Sequence, residues 1–192
     1  MIDKIINNLH GRISVYCIFF IVVLFSFPIN ADNITDEQKI KAALLLKLTQ
    51  FIDWPESSKN SSSGYFKICV LGQNEFDSAL TLLNGKKSNE LTVETEQFNN
   101  SQSVINNCQL VFISESKRPF LTSILNKLDR APVLTISDSK QFAEKGGMIQ
   151  LVTKDKHISF KINLKKVEAS GLKISSTLLQ LSTIVDSDIN NQ

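Results

Sequence analysis

The chain begins with a short polar stretch and becomes almost continuously apolar over 13–27 (ISVYCIFFIVVLFSF), where Pro28 breaks the run. Beyond it the apolar positions change period. Over 38–54 Ile40, Ala43, Leu44, Leu48, Phe51 and Ile52 recur at helical spacing and predict one apolar stripe. Thr35 with Gln38 has the form of a capping box, and Asp36 and Glu37 suit the positive end of the helix dipole. Pro55 predicts a stop at Trp54. Short β-rich runs follow at 66–71 (FKICVL), 91–95, 109–113 (QLVFI) and 132–136 (PVLTI). Helical patterns lie between them at 75–83 and 117–128, the latter with Phe120, Leu121, Ile124, Leu125 and Leu128 inward. Asp138 is placed to cap a further turn over 139–144, and Gly146–Gly147 marks a tight turn.

After that turn the pattern reads as a hairpin. Runs 148–152 and 158–162 flank a polar connection, and Ile158, Phe160 and Ile162 alternate with Ser159 and Lys161. A helical turn at 164–169 and a last helix carrying Leu178, Leu179, Leu181, Ile184 and Val185 complete the reading, with Ser175 or Ser176 as its cap. Strands alternating with helices predict a single α/β domain in three layers. Its sheet is mixed but mostly parallel, with helices on both faces and a C-terminal β-hairpin and helix.

The first 31 residues fall outside that domain. Lys4 and Arg12 precede the apolar run, which is shorter than the roughly 20 residues of a spanning helix, and Ala31 follows the break. This is the pattern of a cleaved signal peptide over 1–31. Ile29 fits poorly at the third position before the cut, so an uncleaved anchor is the alternative. Export changes how the cysteines read. Cys17 leaves with the signal, and Cys69 and Cys108 remain. An isolated pair in an oxidising compartment is expected to be bonded, with two buried thiols as the alternative.

Composition narrows the chemistry. The 192 residues carry 21 Lys+Arg against 19 Asp+Glu, a formal charge of +2 with no basic cluster, which argues against nucleic acid as partner. Two His and three Cys lie too far apart for a zinc site. Gly72 supplies one glycine where a dinucleotide turn needs three. His157 and Cys108 lack the context of a nucleophile and base. The expectation is a protein without catalytic residues, metal or cofactor.

The segment 171–185 (GLKISSTLLQLSTIV) carries more apolar positions than one helical face needs. The surplus predicts a face for a partner or a second copy, against the alternative of a fully buried helix. Ile174, Leu178 and Leu181 are the candidate partner-binding residues, spaced to share one face. A ligand-binding reading stands beside it. The carboxyl ends of 66–71 and 109–113 would border an apolar pocket in a doubly wound sheet, making the chain a periplasmic small-ligand binding module.

Several segments together resemble the YfiR family. KAALLLKLTQFIDWP follows its opening pattern K-A-A-x-L-x-x-x-x-x-F-x-x-W-P, and FKICVLGQNEF, CQLVFIS, PVLTISDSKQFAEKGGMIQLV, FKINL and GLKISSTLLQL follow in the family's order. The resemblance implies a bacterial periplasmic α/β protein, dimeric, that represses a membrane-bound diguanylate cyclase by contacting its periplasmic sensor region. It also implies an outer-membrane, peptidoglycan-associated lipoprotein that relieves repression, raising cyclic di-GMP and favouring biofilm. Cys69 and Cys108 match a cysteine pair of the family. A second pair found in some members near the G-G-M-I hairpin is absent, since Gly146 and Met148 stand there.

Residues 32–192 are the predicted mature chain, so N-terminal sequencing of periplasmic protein should begin at Asp32. A sequence beginning at Met1 would contradict cleavage.

Overall fold

Thr35 is extended (φ −71°, ψ 157°), and its hydroxyl accepts from the Gln38 amide while Gln38 Oε1 accepts from the Thr35 amide, 2.8 Å away. This reciprocal cap starts helix α1, Asp36–Thr49. The computed structural model describes residues 34–186 except 59–63, 74–76 and 156, so the predicted signal peptide, 1–31, lies outside the described residues. The buried row of α1 is Ala42, Leu45, Leu48 and Thr49, followed by Ile52, whereas Ile40 is 53% exposed. The predicted stripe is therefore rotated. Residues 42–48 (AALLLKL) are apolar nearly all round, so spacing alone left the inward face undetermined. Thr49 is buried because its hydroxyl meets that of Ser88 at 2.6 Å and donates to the Leu46 carbonyl.

The predicted extension of α1 to Trp54 does not form. Ile52–Asp53 is instead a short strand, β1, paired antiparallel with β9, Lys173–Ile174. The main sheet contains β2 (Tyr65–Leu71), β3 (Lys87–Ser88), β4 (Leu91–Phe98), β5 (Leu110–Ile113), β6 (Leu134–Ser137), β7 (Ile149–Lys154), β8 (His157–Ile162) and β10 (Ser182–Ile184). Their order across the sheet is β10-β8-β7-β6-β5-β2-β4-β3, antiparallel only at β7/β8 and β3/β4. The predicted mixed, mostly parallel sheet with its hairpin is thus observed.

Alternation splits the core into two halves, as a sheet covered on both faces requires. Ile68, Val70, Leu110 and Phe112 face one side, with α1, α2 (Asp77–Thr81), α5 (Leu164–Ala169) and α6 (Ser176–Gln180). Cys69, Leu71, Val111 and Ile113 face the other, with α3 (Gln102–Asn107) and α4 (Leu121–Leu128). On this second side Cys69 and Cys108 are joined by a disulfide, with Cα atoms 5.9 Å apart.

Three further local expectations change. Residues 117–120 belong to a 3-10 turn, Glu115–Phe120, which carries Pro119 and leaves Phe120 63% exposed; Leu121, Ile124, Leu125 and Leu128 are buried as predicted. Residues 139–144 make turns rather than a capped helix, because the Asp138 carboxylate accepts from Lys41. The last helix ends at Gln180, and Ser182–Ile184 pairs parallel with Phe160–Ile162 at the sheet edge. The run Thr183-Ile184-Val185 is β-branched, which favours that strand over another helical turn.

The turn before β7 depends on Gly147. Phe142 is fully buried, and a Cβ built on Gly147 runs into its ring. Gly147→Ala is expected to destabilise the fold by about 1–3 kcal/mol through overpacking. Urea unfolding would measure it, and an unchanged midpoint would contradict this role.

Candidate functional site

The C-terminal segment was the first candidate. Leu172 and Leu178 are buried, Ile174 and Leu179 are half-buried, and Leu181 and Ile184 are 66% and 47% exposed. The three chosen residues do not share a face. Ile174 sits in β9 opposite Ile52, Leu178 lies in the core at 2% exposure, and Leu181 closes α6 facing solvent. Leu178 as a partner contact is therefore corrected to a core residue, because the five-residue α6 turns it onto the sheet. The surplus of aliphatics is real but rests on Leu181 and Ile184.

This segment is tied to the end of α1. The Ser175 amide donates to the Phe51 carbonyl at 2.9 Å, beside the β1/β9 pairing. Trp54 packs edge-on against Phe66, ring centroids 5.1 Å apart at 74°, and its Nε1 donates to the Thr49 carbonyl. The F-x-x-W-P residues thus fasten the exit of α1 to the C-terminal segment. Their spacing continues the helical pattern of α1, and no local signal announces a two-stranded pairing with residues about 120 positions away.

The second candidate lies at the carboxyl ends of β2, β5 and β6. A half-open cleft of about 700 Å³ lies there, with Phe112 in its lining. Its surface is about half polar rather than the apolar pocket expected, because strand-end residues Gln73, Ser114, Glu115, Ser116 and Asp138 line it together with Glu37 and Lys41 of α1. Gly72 has φ +101°, and a Cβ there would lie 2.6 Å from Ser116 Oγ and 2.8 Å from Lys117 Cγ. Glycine is what this close approach requires. The Ser116 hydroxyl accepts from the Gln73 amide at 3.0 Å and lies 2.6 Å from that of Ser114.

Charge in the cleft is fixed by pairing. Lys41 Nζ contacts Asp138 at 3.0 Å and Glu37 at 3.3 Å. Burial pulls its pKa down, but the hydrogen bonds and charges of Asp138 and Glu37 prevail and raise it, so Lys41 stays an ammonium. The Ser139 hydrogen bond, with Arg118 beside it, holds the Glu115 carboxyl below its ordinary range despite some burial.

The remaining chemistry is spare. Cys108 is consumed by the disulfide, and His157 is exposed on β8. Among the described residues no group of three or more His, Cys, Asp or Glu is arranged to hold a metal. No helix among them is long and apolar enough to cross a membrane.

Residues 38–183 match the model of the YfiR/HmsC-like family, from α1 through the F-x-x-W-P clamp to β10. The chain belongs to the YfiR/HmsC-like family. Two solved structures share its fold at low identity. One is an ABC domain in complex with L-Trp from Streptococcus pneumonia, 9% identical, TM-score 0.53, covering 75% of this chain and 60% of that one. The other is a conserved domain protein from Vibrio cholerae, 10% identical, TM-score 0.52, covering 77% and 59%. The chain spans about three-fifths of the length of each. No curated protein matches it.

In this YfiR/HmsC-like domain the exposed and buried members of one segment give opposite expectations. Leu178→Lys should cost about 3–5 kcal/mol and unfold the domain, since it buries an unpaired charge. Leu181→Lys should stay within about 0.5 kcal/mol of the parent. Circular dichroism melting separates them, and a fully folded Leu178→Lys protein would contradict the placement.

Proposed function

We propose that this YfiR/HmsC-like protein is a non-enzymatic periplasmic regulator of cyclic di-GMP signalling that represses a membrane-bound diguanylate cyclase by binding its periplasmic sensor region. The observation that carries the reading is the family match over 38–183, nearly the whole folded part of the chain. On this reading 1–31 is a cleaved export signal and 32–192 the working domain. The protein acts by population shift: it binds the inactive arrangement of the sensor more tightly and draws the cyclase toward it. To turn a cyclase from mostly active to mostly inactive, that preference must reach roughly four powers of ten. An interface of that strength needs a few well-packed apolar anchors. Leu181 and Ile184, exposed beside half-buried Ile174, supply candidates, with Leu178 holding the segment from below. A second copy of the chain and a peptidoglycan-associated outer-membrane lipoprotein that relieves repression complete the proposal.

The test is cellular. In a strain co-expressing the chain and its candidate cyclase, deletion of the chain should raise cyclic di-GMP severalfold. Leu181→Lys should reproduce much of that rise at unchanged periplasmic protein level, with co-purification of the cyclase reduced in parallel. Cyclic di-GMP that is indifferent to deletion would overturn the proposal. Full repression by Leu181→Lys would overturn the choice of surface.

A further inference from the structure

We infer that the groove between α1 and α2 binds the alkyl chain of a long-chain carboxylate, with the anionic head at the C-terminal end of α1. The groove holds about 330 Å³, at the lower end of the range of small-molecule sites. Its floor is apolar: Ala42 and Leu46 of α1 lie across from Ala79, Leu82 and Leu83, which belong to α2 and the turn after it. The lining residues run from 39 to 50 along α1, roughly 16 Å at the helical rise. Alanines at 42, 43 and 79 are too short to fill the trough from its own walls. Leu82 therefore stays 51% exposed, and Ile40, one turn ahead of Ala43 on α1, is 53% exposed. A concave apolar surface left open in this way marks a place for an occupant.

The rim selects the head group. Lys39, Lys47 and Lys86 border the groove, and none of its described lining residues is acidic. The three charges are not equally available. Lys39 pairs with Asp36 at 3.3 Å. Lys47 Nζ donates to Gln50 Oε1 at 2.8 Å and lies 5.8 Å from the centre of the Phe51 ring, and neither partner carries a net charge. Among the described residues no carboxylate pairs with Lys86, which is exposed. The hydroxyls of Thr49 and Ser88, 2.6 Å apart, hold the segment 86–88 beside the last turn of α1, so Lys86 comes to the same end of the groove as Lys47. Uncompensated positive charge thus gathers at one end of an apolar trough. A molecule with one anionic head and one alkyl tail has the same polarity. An acidic peptide would need free cations along its length, and at the far end Lys39 is already met by Asp36. Lysine stems also cover apolar surface as a solvated rim. That role accounts for Lys39 but leaves Leu82 open and Lys86 uncompensated.

Binding is tested on the purified chain without any partner, so its failure and that of the repression proposal are distinct. Laurate is titrated calorimetrically below its micelle concentration, with acetate and dodecyltrimethylammonium as comparators. Flotation with phosphatidylglycerol vesicles tests a bilayer as the occupant, and sedimentation tests a second copy of the chain. Expected is a saturable single site for laurate, none for acetate or the ammonium amphiphile, and no flotation. Lys86→Gln should weaken laurate binding about tenfold, the effect of losing one hydrogen bond to a charged group. Leu82→Glu, at an exposed position, should abolish it. Lys127→Gln, on α4 across the sheet, should leave it unchanged. No saturable laurate binding, equal binding of the ammonium amphiphile, or parent affinity in both Lys86→Gln and Leu82→Glu would each overturn the inference. So would flotation with the vesicles, or a dimer that Leu82→Glu breaks and laurate does not.

Discussion

Strand β2 is paired in parallel on both sides, with β4 and β5, and its residues 68–71 are buried on both faces. The rest of the domain depends on that constraint. Parallel neighbours need crossover connections, so α2 and α4 must cover the faces, and their opposite directions open the crevice at the strand ends. The disulfide reinforces the same place. Cys69 lies within β2, and Cys108 caps α3 just ahead of β5, so the bridge closes the 39-residue excursion through α2, β3, β4 and α3. In the chain-entropy picture a loop of that length stabilises by roughly 4 kcal/mol, less any strain.

Around this centre the two candidate surfaces arise for different reasons. The cleft is a consequence of topology, and its polarity follows from strand-end residues that must satisfy backbone groups as well as line a cavity. The apolar C-terminal surface is a consequence of chain length. β1 and β9 bring the exit of α1 to the end of the chain, and Trp54 and Phe66 close the seam. What remains after Leu172 and Leu178 are buried is the exposed pair Leu181 and Ile184.

Much of this was legible in the sequence, for physical reasons that can be named. The cap at Thr35, the buried runs of β2, β5 and β6 and the alternation of β8 are local patterns, and each formed where expected. What local pattern does not carry was misread. The face of α1 is chosen by the sheet, not by its nearly uniform apolar sequence. β1 and β10 exist only because distant partners pair with them, so each was read as helix. α3 lies in a polar stretch in which Val104 is the buried apolar residue among the described side chains, and no helical period shows there. The cleft was located by topology but not by chemistry, because Glu37, Glu115 and Asp138 are 23 to 101 residues apart and meet only in the fold.

The central claim is that β2 and β5, stapled by the disulfide, form the most stable unit and organise the remainder. Hydrogen–deuterium exchange followed by mass spectrometry, on oxidised and reduced protein, tests it most directly. The account predicts the slowest exchange in 66–71 and 110–113 when oxidised, with 182–184 fast. It predicts that reduction first speeds exchange in α3 and 108–113 and spares the β7/β8 hairpin. Protection strongest at β10, or reduction that loosens the hairpin before β5, would contradict it.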